Sequence, residues 1–247
     1  MSKFRSKSTC VLSSGGMDSY LAWVTAVQYI EPFTQNVFVN IDQKYVDRER
    51  RALQRIAALN PEFTFIEAKG PPIGAMELPS GIIPNRNAEL ILAASTVGFS
   101  DIMLGVLHGE INTDKGEDFM RSMQTMLDLV WAEQYWNDTA RYHRIFSPIR
   151  HWTKSALVAD YIASGGATAP LLATLSCYAA GEDDVHCGAC PSCFKRWVAL
   201  VNNNLHDQEW RRNPREWSEL PAIISKCYDG TYDEHRANEI LSAINAA

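Results

Sequence analysis

Thr9-Cys10-Val11-Leu12-Ser13-Ser14-Gly15-Gly16-Met17-Asp18-Ser19 is the stretch that decides the fold of this chain. Its first four residues are apolar and β-branched enough for a buried parallel strand. A glycine turn follows at once, and Tyr20-Leu21-Ala22-Trp23-Val24-Thr25-Ala26-Val27 reads as a helix packed on a sheet. Strand, glycine turn and helix in that order make an anion site. The glycines permit positive φ and close approach, and the freed N–H groups at the helix N-terminus face the anion. There is no Gly-Lys-Ser/Thr, so the loop is not the one that serves γ-phosphate transfer, and no Gly-x-Gly-x-x-Gly to indicate a dinucleotide fold. A simpler reading of Ser14 and Ser19 is helix capping.

Working outward, strands are expected at Val37–Ile41, Phe63–Ile66 and Asp101–Val106. Helices are expected over Asp47–Leu59, with Leu53, Ile56 and Ala57 on one face, and from Asn87 through Ala94. A third runs over Phe119–Trp136, with a stripe of Met123, Met126, Leu127, Val130 and Trp131. Residues 70–84 are rich in Gly and Pro and read as a long loop. This alternation predicts an α/β fold with a doubly wound, Rossmann-like parallel sheet and ligands at the carboxyl ends of its strands. Trp210, Pro214, Trp217 and Pro221 suggest an irregular segment, and Ala237–Ile244 a last helix. The expected division is a nucleotide-binding part over 1–170 and a metal-binding helical part over 171–247.

Four cysteines punctuate the second part: Cys177, then Cys187, Cys190 and Cys193 in a Cys-x-x-Cys-x-x-Cys run. Two-residue gaps let neighbouring thiolates turn back onto one ion, and Gly188 and Pro191 suit tight turns between ligands. Four protein ligands close a tetrahedral zinc site, so the ion is expected to staple the fold and activate no water. A disulfide, a redox Cys-x-x-Cys and an iron–sulfur cluster are the other readings. His186 ranks below Cys177 as a fourth ligand. Residues 1–10 lack a long apolar core, so no secretory signal is expected. That fits a reducing cytoplasm, where clustered cysteines bind metal or do redox chemistry. Cys10 reads as a small buried hydrophobe, and Cys227 has no sequence partner.

The 247 residues are 46% hydrophobic and 21% charged, with a formal net charge of −6. No apolar run approaches the ~20 residues of a membrane helix. The acidic balance argues against a large nucleic-acid footprint. Arg48-Glu49-Arg50-Arg51 with Arg55, and Arg211-Arg212 with Arg215, read as solvated helix faces.

Ser14 to Ser19 resembles the PP-loop signature of ATP pyrophosphatases. The resemblance implies that Ser14, Gly15, Gly16 and Ser19 line the β,γ-pyrophosphate of ATP and that reaction occurs at the α-phosphate. It also implies that Asp18 orients the loop or helps hold Mg²⁺. From about Thr9 to about Val201 the chain is similar to the 7-cyano-7-deazaguanine synthase family. Ser176-Cys177-Tyr178 with Cys187-Gly188-Ala189-Cys190-Pro191-Ser192-Cys193 and Arg196 carries the most specific part. Ser147-Pro148-Ile149 with Thr153-Lys154-Ser155 looks like that family's Pro-Leu-x-x-x-Thr-Lys, and Ile83-Pro84-Asn85-Arg86-Asn87 like its Val-Pro-Gly-Arg-Asn. Gln43 and Glu49 stand where the family has Gln and Glu after the second strand.

Departures cluster in the substrate segments. Asp-Tyr-Gly-Gln-Arg-His becomes Asn40-Ile41-Asp42-Gln43-Lys44-Tyr45, glycine becomes Asn85, and Asn112-Thr113-Asp114-Lys115-Gly116-Glu117-Asp118-Phe119 replaces a Tyr-Pro-Asp-Cys-Arg-Pro-x-Phe segment. The resemblance implies ATP-dependent conversion of 7-carboxy-7-deazaguanine and ammonia to the nitrile, through an adenylated acid and an adenylated amide. Lys154 and Arg86 are then the cations around developing phosphate charge, with surface charge as the plainer reading of both. Gln43, Arg86, Asn87 and Asp114 would bind substrate. A carboxylate such as Asp114 can accept two donors side by side from a guanine-like edge; a loop cap is its plainer reading. A divergent member that stops at the amide or adenylates another acceptor stays open. So do a PP-loop tRNA sulfur transferase, an ATP-binding zinc scaffold without turnover, and a homodimer paired through the tail.

Overall fold

The computed structural model describes residues 8–109, 114–177, 179, 182–206 and 208–246. Asn112, Thr113, Tyr178 and Gly181 of the sequence motifs lie outside the described residues. Five parallel strands form one sheet in the order β3-β2-β1-β4-β5. They are β1 (Thr9–Leu12), β2 (Gln35–Asn40), β3 (Phe65–Lys69), β4 (Asp101–Met103) and β5 (Arg144–Phe146). β1, β2 and β4 are buried along nearly their whole length, as parallel strands covered on both faces must be. The chain winds outward from β1 to β3, then returns to place β4 on the other side of β1. The resulting switch point opens a crevice beyond the carboxyl ends of β1 and β4.

Helices cover both faces, as the doubly wound expectation requires. α1 (Met17–Tyr29), α2 (Val46–Leu59) and α5 (Lys154–Ala163) build one core layer around Tyr20, Trp23, Phe38, Leu53 and Tyr161. α3 (Arg86–Thr96) and α4 (Glu117–Val130) build the other around Val37, Ile91, Ile102, Met120 and Leu127. Successive strand residues alternate between these layers: Cys10 belongs to one and Val11 to the other. Burial pushes the Cys10 thiol pKa far up, which keeps it an uncharged core group.

Several elements differ from expectation. β3 starts two residues later than the Phe63 reading, and Phe63 instead packs its ring edge-on against Trp23. α4 ends at Val130 rather than Trp136. The Asn137 side chain donates to the carbonyls of Trp131 and Ala132, and Arg141 stacks on the Trp131 ring at 4.0 Å, so the chain turns there. Of the expected apolar stripe, Met123 and Leu127 face the core, whereas Met126 and Val130 are exposed. β5 gave no period of its own in three residues. It is held by pairing with β4 and by the Arg144–Asp101 ion pair at 2.7 Å.

After α6 (Thr168–Ala173), α7 (Pro191–Val201) carries the end of the cysteine run. The tail is more regular than expected. α8 (Leu220–Tyr228), with Pro221 in its first turn, joins α9 (Glu234–Ala246) in covering α7. Phe194, Trp197, Val198 and Val201 of α7 pack there against Leu220, Ile240 and Ala243. No helix among the described residues is long and apolar enough to cross a membrane. Ile240→Ala is expected to lower unfolding free energy by about 2–5 kcal/mol, measured by urea titration. A loss well below that would show that the tail adds little to the core.

Candidate active site

The glycine loop that the sequence marks as an anion site stands where β1 hands over to α1. Gly15 has φ +72°, and a Cβ there would lie 2.8 Å from the Ala52 Cβ and 3.0 Å from the Glu49 carbonyl oxygen. Only glycine allows α2 this close. Gly15 therefore faces α2, while Ser14, Gly16, Asp18 and Ser19 line a cavity of about 770 Å³. The Ser19 hydroxyl accepts the Ser14 N–H at 3.3 Å and donates to the Gly16 carbonyl at 3.0 Å. Gly16 caps α1 without any side-chain acceptor, so neither serine is the N-cap.

α5 begins directly opposite. Thr153 caps it by accepting the Ala156 N–H, which fixes Lys154 at the first helical position. Lys154 Nζ lies 2.9 Å and 3.0 Å from the two Asp18 carboxylate oxygens. The pair is largely withdrawn from water, with side chains 12% and 29% exposed. Two residues 136 positions apart in sequence thus share one point at the loop.

The other end of the cavity holds Gln43, Arg86, Asn87 and Asp114. Gln43 is buried and fully engaged: its Oε1 accepts the Ile41 N–H at 3.1 Å and its Nε2 donates to Glu49 Oε2 at 2.6 Å. The side chain that Gln43 presents to the cavity is therefore Glu49, which also lines it. Burial pushes the Glu49 carboxyl up to about 7, against the Gln43 hydrogen bond and the charges of Arg86 and Arg48. Asn87 donates to the Asp114 carbonyl at 3.1 Å and so braces that loop against α3. Arg86 reaches the Tyr45 hydroxyl at 3.4 Å. Asn85 before it has φ +61° and Asp42 has φ +57°. Asn and Asp are the side chains that tolerate this left-handed geometry best after glycine. Lys195 also lines the cavity, although nothing in its local sequence marks it. It is carried there by α7, two residues beyond the last cysteine.

Behind the loop, the sulfurs of Cys177, Cys187, Cys190 and Cys193 all lie within 4.8 Å of one another. The Cys187–Cys193 separation is 3.8 Å, and sulfurs bonded at roughly 2.3 Å around one tetrahedral ion sit roughly that far apart. Backbone N–H groups of Ala189 and Cys193 point at the sulfurs of Cys187 and Cys190, each at 3.4 Å. These four residues can hold a metal ion. Hydrogen bonds from Cys190 and Cys193 push the Cys177 thiol far down, while the Cys177 thiolate pushes Cys190 up to about 12. Four sulfurs in contact cannot all ionise without a cation between them.

His186 is not part of the cluster. It is buried, its Nε2 accepts the Ser176 N–H at 3.2 Å, and burial pushes its pKa down to about 3. Gly188 has φ +70°, and a Cβ there would run into the Arg212 carbonyl. The first basic cluster is partly solvated, as expected, but Arg51 and Arg55 also both grip Asp184, at 2.7 Å and 2.6 Å, clamping α2 to the cysteine segment. Arg211 holds Asp183 at 2.6 Å in the same way.

The profile of the family described as "Queuosine biosynthesis protein QueC" matches residues 66–204. The chain is 29% identical over 225 residues to the 7-cyano-7-deazaguanine synthase of Methanopyrus kandleri, covering 81% of this chain and 96% of that protein. It is 24% identical over 240 residues to the enzyme of the same name from Xylella fastidiosa, covering 88% and 98%. With the one from Rickettsia africae it shares 26% identity over 137 residues, covering 53% and 58%.

Cys190→Ala is expected to abolish metal retention by the purified chain and to lower its melting temperature, because metal binding to such sites is also folding free energy. Elemental analysis beside calorimetry checks both. A variant that keeps its metal and its melting point would remove the cluster from the fold's support.

Proposed function

The chain belongs to the QueC family of queuosine biosynthesis proteins, and from that premise we propose that it uses ATP to convert 7-carboxy-7-deazaguanine and ammonia to 7-cyano-7-deazaguanine. One observation carries this reading. A single cavity of about 770 Å³ joins the phosphate loop to the Gln43, Glu49, Arg86 and Asp114 cluster. That volume lies toward the upper end of ligand pockets, which run roughly 300–1,000 Å³, and it suits two ligands meeting end to end.

In this reading Ser14, Gly16 and Ser19 cradle the pyrophosphate at the N-terminus of α1, where backbone N–H groups favour anions. Gly15 lets α2 back the loop. Lys154 leaves Asp18 for the phosphate charge that develops as pyrophosphate departs, and Arg86 meets that charge from the substrate side. Asp18, freed of Lys154, would hold Mg²⁺, and the ion would supply charge neutralisation for the leaving pyrophosphate. Asp114 accepts from the donor edge of the deazapurine, with Asn87 and Gln43 fixing the surrounding backbone. The substrate carboxylate attacks the α-phosphate, ammonia displaces AMP to give the amide, and a second ATP activates the amide oxygen. Loss of a second AMP leaves the nitrile.

Asp42 and Asn85, which stand where the family has glycine, both take the left-handed geometry that glycine adopts most readily, and this supports the complete reaction. Zinc is the ion we assign to the four cysteines, as a structural staple with no open position. Residues 1–170 form the nucleotide-binding part and 171–247 the stapled part of a cytoplasmic ligase.

The test is a mixture of the purified chain, ATP, Mg²⁺, ammonia and 7-carboxy-7-deazaguanine, read by mass spectrometry. The expected products are the nitrile, pyrophosphate and two AMP per substrate. Asp18→Ala should lose pyrophosphate release while keeping its melting point. ADP as the sole nucleotide product would refute the phosphate-loop assignment, and amide with one AMP would show an enzyme that stops halfway.

A further inference from the structure

The carboxylate of Glu49 is unused by the mechanism above, yet it is built into the site with unusual care. Its backbone carbonyl lies under Gly15, so its position is fixed relative to the phosphate loop. Its Oε2 receives the buried Gln43 amide at 2.6 Å, and Gln43 is itself locked by the Ile41 N–H. The residue lines the cavity between the loop and the substrate cluster. A carboxylate in an anion-handling cavity works against phosphate binding, so plain charge complementarity does not account for it.

We propose that Glu49 is the proton acceptor for the nitrogen substrate: its carboxylate takes a proton from ammonium and releases ammonia beside the adenylated acid. This rests on the adenylation reading above. Ammonium has no lone pair and cannot attack, so a site running at neutral pH needs a base. Proton transfer leaves a Glu49 carboxylic acid and neutral ammonia. The nitrogen lone pair forms the C–N bond, and the C–O bond to AMP breaks with its electrons on the AMP phosphate. The surplus proton of the adduct leaves on that phosphate, and Glu49 returns its own proton to water before the next turn.

Among the described residues, the groups around Glu49 are poorer bases for this step. Arg48 from its own helix and Arg86 from α3 are cations and cannot accept a proton. Tyr45 is a phenol bonded by Arg86. Asp18 is held by Lys154 at rest and would be engaged by Mg²⁺ in the reading above, and Asp114 belongs to another loop, braced by Asn87. Burial raises the Glu49 carboxyl to about 7, with Arg86 and Arg48 limiting the rise. A base is most effective when its pKa lies near the working pH.

The experiment compares Glu49→Gln with the parent chain in two reactions across pH. Gln keeps an acceptor for the Gln43 amide. The kcat/KM for ammonia near neutral pH should fall by about 10²- to 10⁴-fold, the usual range for losing a general base. The deficit should shrink as pH rises and free ammonia replaces ammonium. Hydroxylamine, already unprotonated at neutral pH, should react at close to the parent rate. Substrate-dependent exchange of pyrophosphate into ATP, which needs no ammonia, should stay close to the parent's. Gln43→Leu, which removes a hydrogen bond to the ionised carboxylate, should move the rising limb of the ammonia pH profile upward. A pH-independent loss that hydroxylamine shares, or a parallel loss of exchange, would make Glu49 a strut for the loop and overturn the proposal. Absence of exchange in the parent chain would instead bring down the adenylation reading, and the proposal with it.

Discussion

A guanidinium with no contact with water ties together the segments that surround the cysteine cluster. Arg196 is 0% exposed, and no carboxylate pairs with it among the described residues. Its donors reach the Thr174 and Ser176 hydroxyls, the Leu171 and Leu172 carbonyls and the Gln208 side chain. Burial pushes its pKa down to about 10, so it stays charged at neutral pH. An uncompensated buried charge is destabilising by about 3–5 kcal/mol. The compensation comes from these oriented dipoles, with Cys193 and Asp18 adding electrostatic attraction. A divalent ion held by the four cysteines would leave a net negative charge, with Arg196 as the buried cation near it.

The consequence reaches the phosphate loop. The acceptors of Arg196 bracket Leu175, whose N–H donates to the Gly15 carbonyl at 2.8 Å. Gly15 also rests on α2, and α2 is clamped through Arg51 and Arg55 to Asp184 in the cysteine segment. Two independent routes, one through a buried cation and one through exposed ion pairs, therefore tie the loop to the cysteine cluster. The exposed route contributes little stability. Its use is geometric, because it sets the depth at which α2 meets Gly15 and hence where Glu49 stands. Loss of metal would loosen the loop even though no sulfur belongs to the anion cradle.

The elements legible in the sequence are those whose information is local. Strand, glycine turn and helix over Thr9–Tyr29 lie in one continuous stretch, and the last three cysteines are separated only by turns. The same holds for Asp18 and Lys154 taken singly. Their pairing was not legible, because it depends on α5 beginning opposite α1 after several intervening crossovers. β5 was missed for a related reason: three residues carry no period, and the strand exists only through its neighbour. α8 was hidden by Trp217 and Pro221, which read as breakers although proline is well placed in a first turn. Gln43 lines the cavity, and its hydrogen bonds to the Ile41 N–H and to Glu49 were not legible because they depend on how the chain turns after β2. Lys195 had no sequence mark at all, because only the packing of α7 decides that it faces the cavity.

The segments where the sequence departs from its relatives' pattern teach the same point from the other side. Replacing glycine by Asp42 and Asn85 looks severe, since each sits at positive φ where a side chain is strained. Both replacements belong to the small set that hydrogen-bonds locally and tolerates this geometry. The Asp42 N–H accordingly donates to the Asn40 side chain at 2.9 Å, closing the turn from within. Gly74 packs directly onto the Asp42 carbonyl, where any Cβ would collide, so the turn is held from outside as well. The left-handed geometry at Asp42 is thus supported by one local hydrogen bond and one close glycine contact. Of the two, Asn85 lines the cavity and Asp42 does not, so only Asn85 changes the chemistry that the cavity presents.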